Sequence, residues 1–118
     1  MELKELNQSK VCDILNTIVE YEMAGVVRYA HSSLMVTGPY RIPIVQFLQE
    51  QANESLQHAL QAGELITGLD GHPSQIIAPI DESHDHSILR IVNLWCFLSY
   101  LFVALCGSGV VNTLLQTQ

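Results

Sequence analysis

Apolar residues recur at helical spacing through residues 9–37. Val11, Leu15, Ile18, Val19, Val26 and Tyr29 fall on one stripe, while Lys10, Asp13, Glu20, Arg28 and His31 take the outer face. The pattern predicts an amphipathic helix with Ser9 as its N-cap, broken by Thr37, Gly38 and Pro39. A second helix is expected from Ile42 or Pro43, where proline suits a first turn, to Thr67 and Gly68. Its apolar side comprises Ile44, Val45, Leu48, Ala52, Leu56, Ala59, Gly63 and Ile66, and its wet side Gln49, Glu50, Asn53, Gln57, Gln61 and Glu64. The short link between the two makes residues 9–67 an antiparallel hairpin.

Residues 68–86, GLDGHPSQIIAPIDESHDH, carry no sustained period and are too many for a simple turn. Such a connection crosses from one end of a helical bundle to the other, with its apolar IIAPI packed along the bundle surface. Residues 87–118 then read as an apolar third helix or tail, with Gly107 and Gly109 marking a break. The fold class is therefore all-α, a helical bundle within one small domain spanning residues 1–118, whose fourth helix is missing or incomplete.

Charge sharpens this picture. With a net charge of −7 and only five Lys and Arg, the chain is poorly suited to the phosphate contacts that dominate nucleic-acid binding. It suits a soluble acidic protein, or one that attracts cations. No Asp or Glu follows Asp85, and no charged side chain follows Arg90. The run LWCFLSYLFVALCGSGVV raises the question of a membrane span, but Asn93, Ser99, Ser108 and Asn112 interrupt it and no Lys/Arg cluster flanks it. Cys12, Cys96 and Cys106 lie far apart at apolar positions and read as buried reduced thiols. The opening MELKELNQSK lacks the apolar stretch of a secretory signal, so a cytoplasmic location is expected.

One residue breaks the apolar stripe. Glu22 sits at its centre, where an ionised carboxylate is costly unless it is neutralised or paired with a cation. Glu54 and His58, four apart on one face of the second helix, are candidates to share whatever Glu22 binds. Two carboxylates and an imidazole suit iron, manganese or zinc, with carboxylate-rich sets leaning to the first two. Tyr29, two turns from Glu22, is placed to hydrogen-bond a ligating carboxylate. The plainer alternatives stay open: Glu22 paired with His58 alone, Glu54 a solvated edge residue, and Tyr29 a core aromatic. His72, His84 and His86 fall in the crossover, where SHDH reads best as a solvated helix start.

The segment YEMAGVVRYAHSSLM, followed by ANESLQHALQAGELITGLDGHPSQ, resembles the first helical hairpin of the bacterioferritin and ferritin-like di-iron carboxylate superfamily. The resemblance covers roughly residues 11–90, including the turn at Asp70, Gly71, His72 and Pro73. It implies a ferritin-like bundle in which Glu22, Glu54 and His58 ligate metal and Tyr29 hydrogen-bonds. The implied chemistry is oxidation of ferrous iron by oxygen, with Glu22 bridging and Glu54 and His58 terminal. Two departures matter. The family spacing is Glu-x-x-His, whereas here Glu54 precedes His58 by four and Ser55 stands three before it. In addition, no Glu follows Glu82 and no His follows His86, so this chain lacks the ligands of the family's third and fourth helices. A homodimer or higher homo-oligomer restores them if a two-fold axis brings two sets together. The alternatives are a non-catalytic helical oligomer with a vestigial site and a divergent end, or a membrane-tethered iron-handling module.

Overall fold

The computed structural model describes residues 2–80, with side chains from Asn7 onward. Two helices make up the hairpin, α1 over Glu2–Met35 and α2 over Arg41–Gly68. The first helix begins at Glu2, not at Ser9 as expected, and Ser9 is an exposed residue of its interior. The preceding ELKEL is built of strong helix formers, so nothing there stops the helix and no cap is needed at Ser9. The expected third helix and tail, with Cys96 and Cys106, and the histidines His84 and His86 lie outside the described residues. Among the described residues no helix is long and apolar enough to cross a membrane.

The reversal is set by Gly38, whose φ of 107° is open to glycine and strained for other residues. Its carbonyl accepts the Arg41 N–H at 3.2 Å, and the Arg41 Nε–H returns to the Val36 carbonyl at 3.0 Å. Pro43 then falls in the first turn of α2, where its missing N–H costs nothing.

Burial along α2 follows a strict spacing of four and three: Leu48, Ala52, Ser55, Ala59, Ala62 and Ile66, continued by Leu69. Along α1 it touches Leu15, Val19, Glu22 and Tyr29, with Val26 half-buried between the last two. This repeat of seven keeps one seam of each helix against the other, as in a coiled coil. Alanines in the seam allow the backbones to come close. Two apolar clusters result. Ala24, Tyr29, Leu48, Ala52 and Ala78 fill the end nearest the reversal, and Leu15, Val19, Ala62, Ile66 and Leu69 fill the other.

The end of α2 is a Schellman motif. Gly71 N–H bonds to the Ile66 carbonyl at 2.9 Å and Asp70 N–H to the Thr67 carbonyl at 3.1 Å, with Asp70 in the left-handed region at φ 58°. The chain then runs back along α1. Ser74 N–H donates to Asn16 Oδ1 at 2.8 Å, the Ser74 hydroxyl to Glu20 Oε1 at 2.6 Å, and Ala78 N–H to the Glu20 carbonyl at 3.1 Å. The crossover therefore travels toward the reversal end, as a bundle-spanning connection must. It covers the Glu20 face, so Glu20 is half-buried and not on a purely solvated side. Of IIAPI only Ala78 is buried; Ile76, Ile77 and Ile80 stay exposed, because the segment is fastened by hydrogen bonds and not by its isoleucines.

A Cβ added at Gly71 would stand 2.9 Å from both Cys12 Sγ and Ile66 Cγ2, closer than real contacts allow. Gly71→Ala is expected to destabilise the protein by about 1–3 kcal/mol through overpacking, offset by about 0.4–1 kcal/mol from a stiffer unfolded chain. Urea unfolding measures the net cost, and Cys12→Ala in the same chain should recover part of it. No recovery would place the strain elsewhere. Cys12 is itself a free, half-buried thiol whose pKa is raised by burial first and by the Asp13 charge second.

Candidate metal centre

Between the two apolar clusters lies a single polar layer. Glu22 from α1 and Ser55 and His58 from α2 are 4%, 5% and 7% exposed. Glu22 is there because the seven-residue repeat carries it into the seam. Ser55 occupies the facing seam position, and His58, one turn further on, flanks it. Glu22 Oε1 stands 3.4 Å from His58 Nδ1.

Burial dominates the electrostatics of the carboxylate and pushes the Glu22 pKa above its ordinary value of 4.5. A hydrogen bond donated by the Ser55 hydroxyl opposes that push, as does the nearby His58 imidazole, while the negative charge of Glu54 adds to it. The ionised form is thus held at a cost, which either protonation or a positive charge beside it relieves.

The three residues expected to act together are not equally placed. Glu22 and His58 meet, as the helical projection of each suggests. Glu54 is exposed, and its Oε2 accepts a hydrogen bond from Gln51 Nε2 at 3.2 Å. Its charge reaches Glu22, but its carboxylate is engaged at the rim. Tyr29 is buried in the apolar cluster with Ala24, Leu48 and Ala52. Among the described residues no three of His, Cys, Asp and Glu gather closely enough to hold a metal by themselves.

Ser55 is the residue that inspection of single positions overlooks. Leu56 seems the natural apolar member of that turn, yet it is half-buried and Ser55 is buried. The signal was present in the spacing, because continuing 48, 52 by three gives 55.

The buried layer nonetheless brings together two groups of metal-ligating type, the Glu22 carboxylate and the His58 imidazole. Ligand atoms about 2.1 Å from a shared ion stand about 3.0–3.4 Å apart across an octahedral or tetrahedral edge. The 3.4 Å separation of Oε1 and Nδ1 falls at that limit. A separate groove of 770 Å³, lined by Val19, Met23, Ala59, Gly63, Ile76 and Ile77 among others, runs between the helices and the crossover and includes neither Glu22 nor His58.

Comparison with known proteins places a match to the family model described as "Ferritin-like domain" over residues 12–94, more than half of the chain. No curated protein and no solved structure matches significantly.

Proposed function

The chain belongs to the ferritin-like domain family, and on that premise we propose that it binds a divalent transition metal, iron foremost, through Glu22 and His58. The observation that carries this is the polar layer itself, a carboxylate and an imidazole buried side by side and held apart by the width of a coordination edge. Glu54 is the proposed third ligand, joining by rotation of its exposed side chain away from Gln51, and Tyr29 the proposed hydrogen-bonding partner of a ligating carboxylate. A second copy of the chain contributes the same residues, which makes the working form a homodimer or higher homo-oligomer. Exposed Ile14 and Tyr21, seven residues apart on α1, give that assembly an apolar line to cover.

Ferrous iron is the substrate that the family suggests, with oxidation by oxygen as the reaction. Manganese suits the same donors. Zinc would bind without redox chemistry, having no accessible second oxidation state. The engagement of Glu54 by Gln51 favours one other reading, a non-catalytic helical oligomer in which the acid–imidazole pair is a vestige.

Metal content and solution mass measured on one chelator-free preparation test the proposal. Bound iron, manganese or zinc together with a mass above that of one chain is the expected result. A metal-free monomer whose melting temperature ignores added metal would sink it. Glu22→Ala should lower metal content, whereas Glu20→Ala should loosen the Ser74 attachment and leave metal content unchanged. Recovery of the untagged chain without detergent would remove the membrane-tethered alternative.

A further inference from the structure

The crossover is joined to the hairpin unevenly. Past the Schellman turn it is bonded to α1 through contacts that converge on one residue. Ser74 N–H donates to Asn16 Oδ1 at 2.8 Å, and the Ser74 hydroxyl donates to Glu20 Oε1 at 2.6 Å while accepting the Ile76 N–H at 3.2 Å. Asn16 Nδ2 in turn donates to the His72 carbonyl at 3.1 Å, and Ala78 N–H to the Glu20 carbonyl at 3.1 Å. Ser74 is half-buried, so the clamp is within reach of water. Toward α2 the crossover borders the groove, which Ile76 and Ile77 line on one side and Ala59, Gly63 and Gly68 on the other. The two isoleucines stay 69% and 45% exposed. Across from them, a Cβ added at Gly63 or Gly68 would meet nothing within 4 Å among the described residues. Apolar side chains left in water beside an apolar groove are driven to fill it, and the attachment to α1 holds these back.

We propose that Asn16, Glu20 and Ser74 form a latch that holds the crossover as a strap against α1, and that its release lets Ile76 and Ile77 close onto Gly63 of α2. Ser74 is the keystone, because three of the five bonds that fix the strap are its own. Bonds that share one residue break together. Each nets little in water, so the latch opens far more readily than the apolar seam between the helices. Metal binding plays no part in it.

Native-state amide hydrogen exchange on the full chain reads the latch, and methyl NMR reads the closure. In the wild type the amides of Ser74, Ile76 and Ala78 should share one opening equilibrium, easier than that of Ala62 in the seam. Ser74→Ala should speed exchange at residue 74 and at Ala78 by about tenfold, although it removes the acceptor of neither, and Ser74→Thr, which keeps the hydroxyl, should restore most of the protection. Nuclear Overhauser contacts from the Ile76 or Ile77 methyls to Gly63 should appear in Ser74→Ala and be absent from the wild type. Faster exchange confined to Ile76 would overturn the latch, since the bonds would then act independently. Released amides with no new contact to Gly63 would overturn the closure, as when residues 81–118 fill the groove. If Ser74→Ala does not fold, the wild-type exchange decides: one shared opening equilibrium supports the latch and three unrelated ones overturn it.

Discussion

Glu22→Gln should raise the stability of the metal-free protein at neutral pH and abolish the further stabilisation that metal gives the wild type. The first effect follows from the raised Glu22 pKa. A carboxyl group with a folded pKa above its unfolded value stabilises the native state below the ordinary carboxylate range, and that contribution is lost as pH rises through the folded pKa. Wherever the pH lies above the folded pKa, the ionised, buried group is therefore a net burden. Glutamine has nearly the same shape, can accept from Ser55, and carries no charge. Relief of a functional-site charge of this kind commonly adds about 0.5–2 kcal/mol, a shift of several degrees in Tm for a domain of this size.

The second effect has the opposite sign. Metal at about one hundred times its Kd stabilises a one-site protein by about 2.7 kcal/mol, and glutamine, a far weaker ligand, should show almost none of it. The stability order should thus reverse on adding metal: Glu22→Gln above wild type without it, below with it. Thermal unfolding with and without Fe²⁺ under anaerobic conditions reads both. The pH dependence gives a second check, since the advantage of Glu22→Gln should vanish below pH 4.5, where the wild-type carboxyl is also neutral. A Glu22→Gln protein less stable than wild type in every condition would mean that the layer of Glu22, Ser55 and His58 is a structural network whose acid is wanted for its own sake.

Ile66→Ala should be among the most damaging single changes in the hairpin. Ile66 is fully buried in the cluster with Leu15, Val19, Ala62 and Leu69. Its carbonyl also accepts the N–H groups of Leu69 and Gly71, so it anchors the turn that launches the crossover. Removing the side chain costs the lost transfer free energy and leaves a cavity, together about 2–5 kcal/mol. That is a large fraction of the roughly 5–15 kcal/mol that holds a typical domain together. In urea the midpoint should fall with little change in slope. The folded fraction should still bind metal, because the polar layer lies about two turns away along α2. Leu60→Ala, at an exposed position, is the control and should cost no more than about 0.5 kcal/mol. Similar costs for the two would contradict the placement of the core.

Both expectations depend on features that differ in how far they could be read from the chain. Two helices, their order and their antiparallel pairing follow from apolar periodicity, Gly38 and the prolines. The burial of Glu22 follows as well, since its apolar neighbours lie one turn away on both sides. The start of α1 did not, because Ser9 is a good cap residue only where a helix has reason to begin, and ELKEL gives it reason to begin earlier. The path of the crossover was legible as a direction but not as a set of contacts. Asn16, Glu20 and Ser74 are ordinary polar residues until the fold brings together groups more than fifty positions apart.

The local sequence determined the helices and marked one acid as misplaced on an apolar stripe, because helix formation and amphipathicity are read within a few turns of chain. Only the tertiary structure decided what that acid meets. An ideal helix drifts by about 20° for every seven residues relative to a fixed seam, so a residue near the edge of a stripe can fall on either side of it. Packing α2 against α1 on a repeat of seven turned Ser55 and His58 inward and left Glu54 at the rim. The sequence offers all three residues within one turn; the geometry of two helices in contact chooses among them.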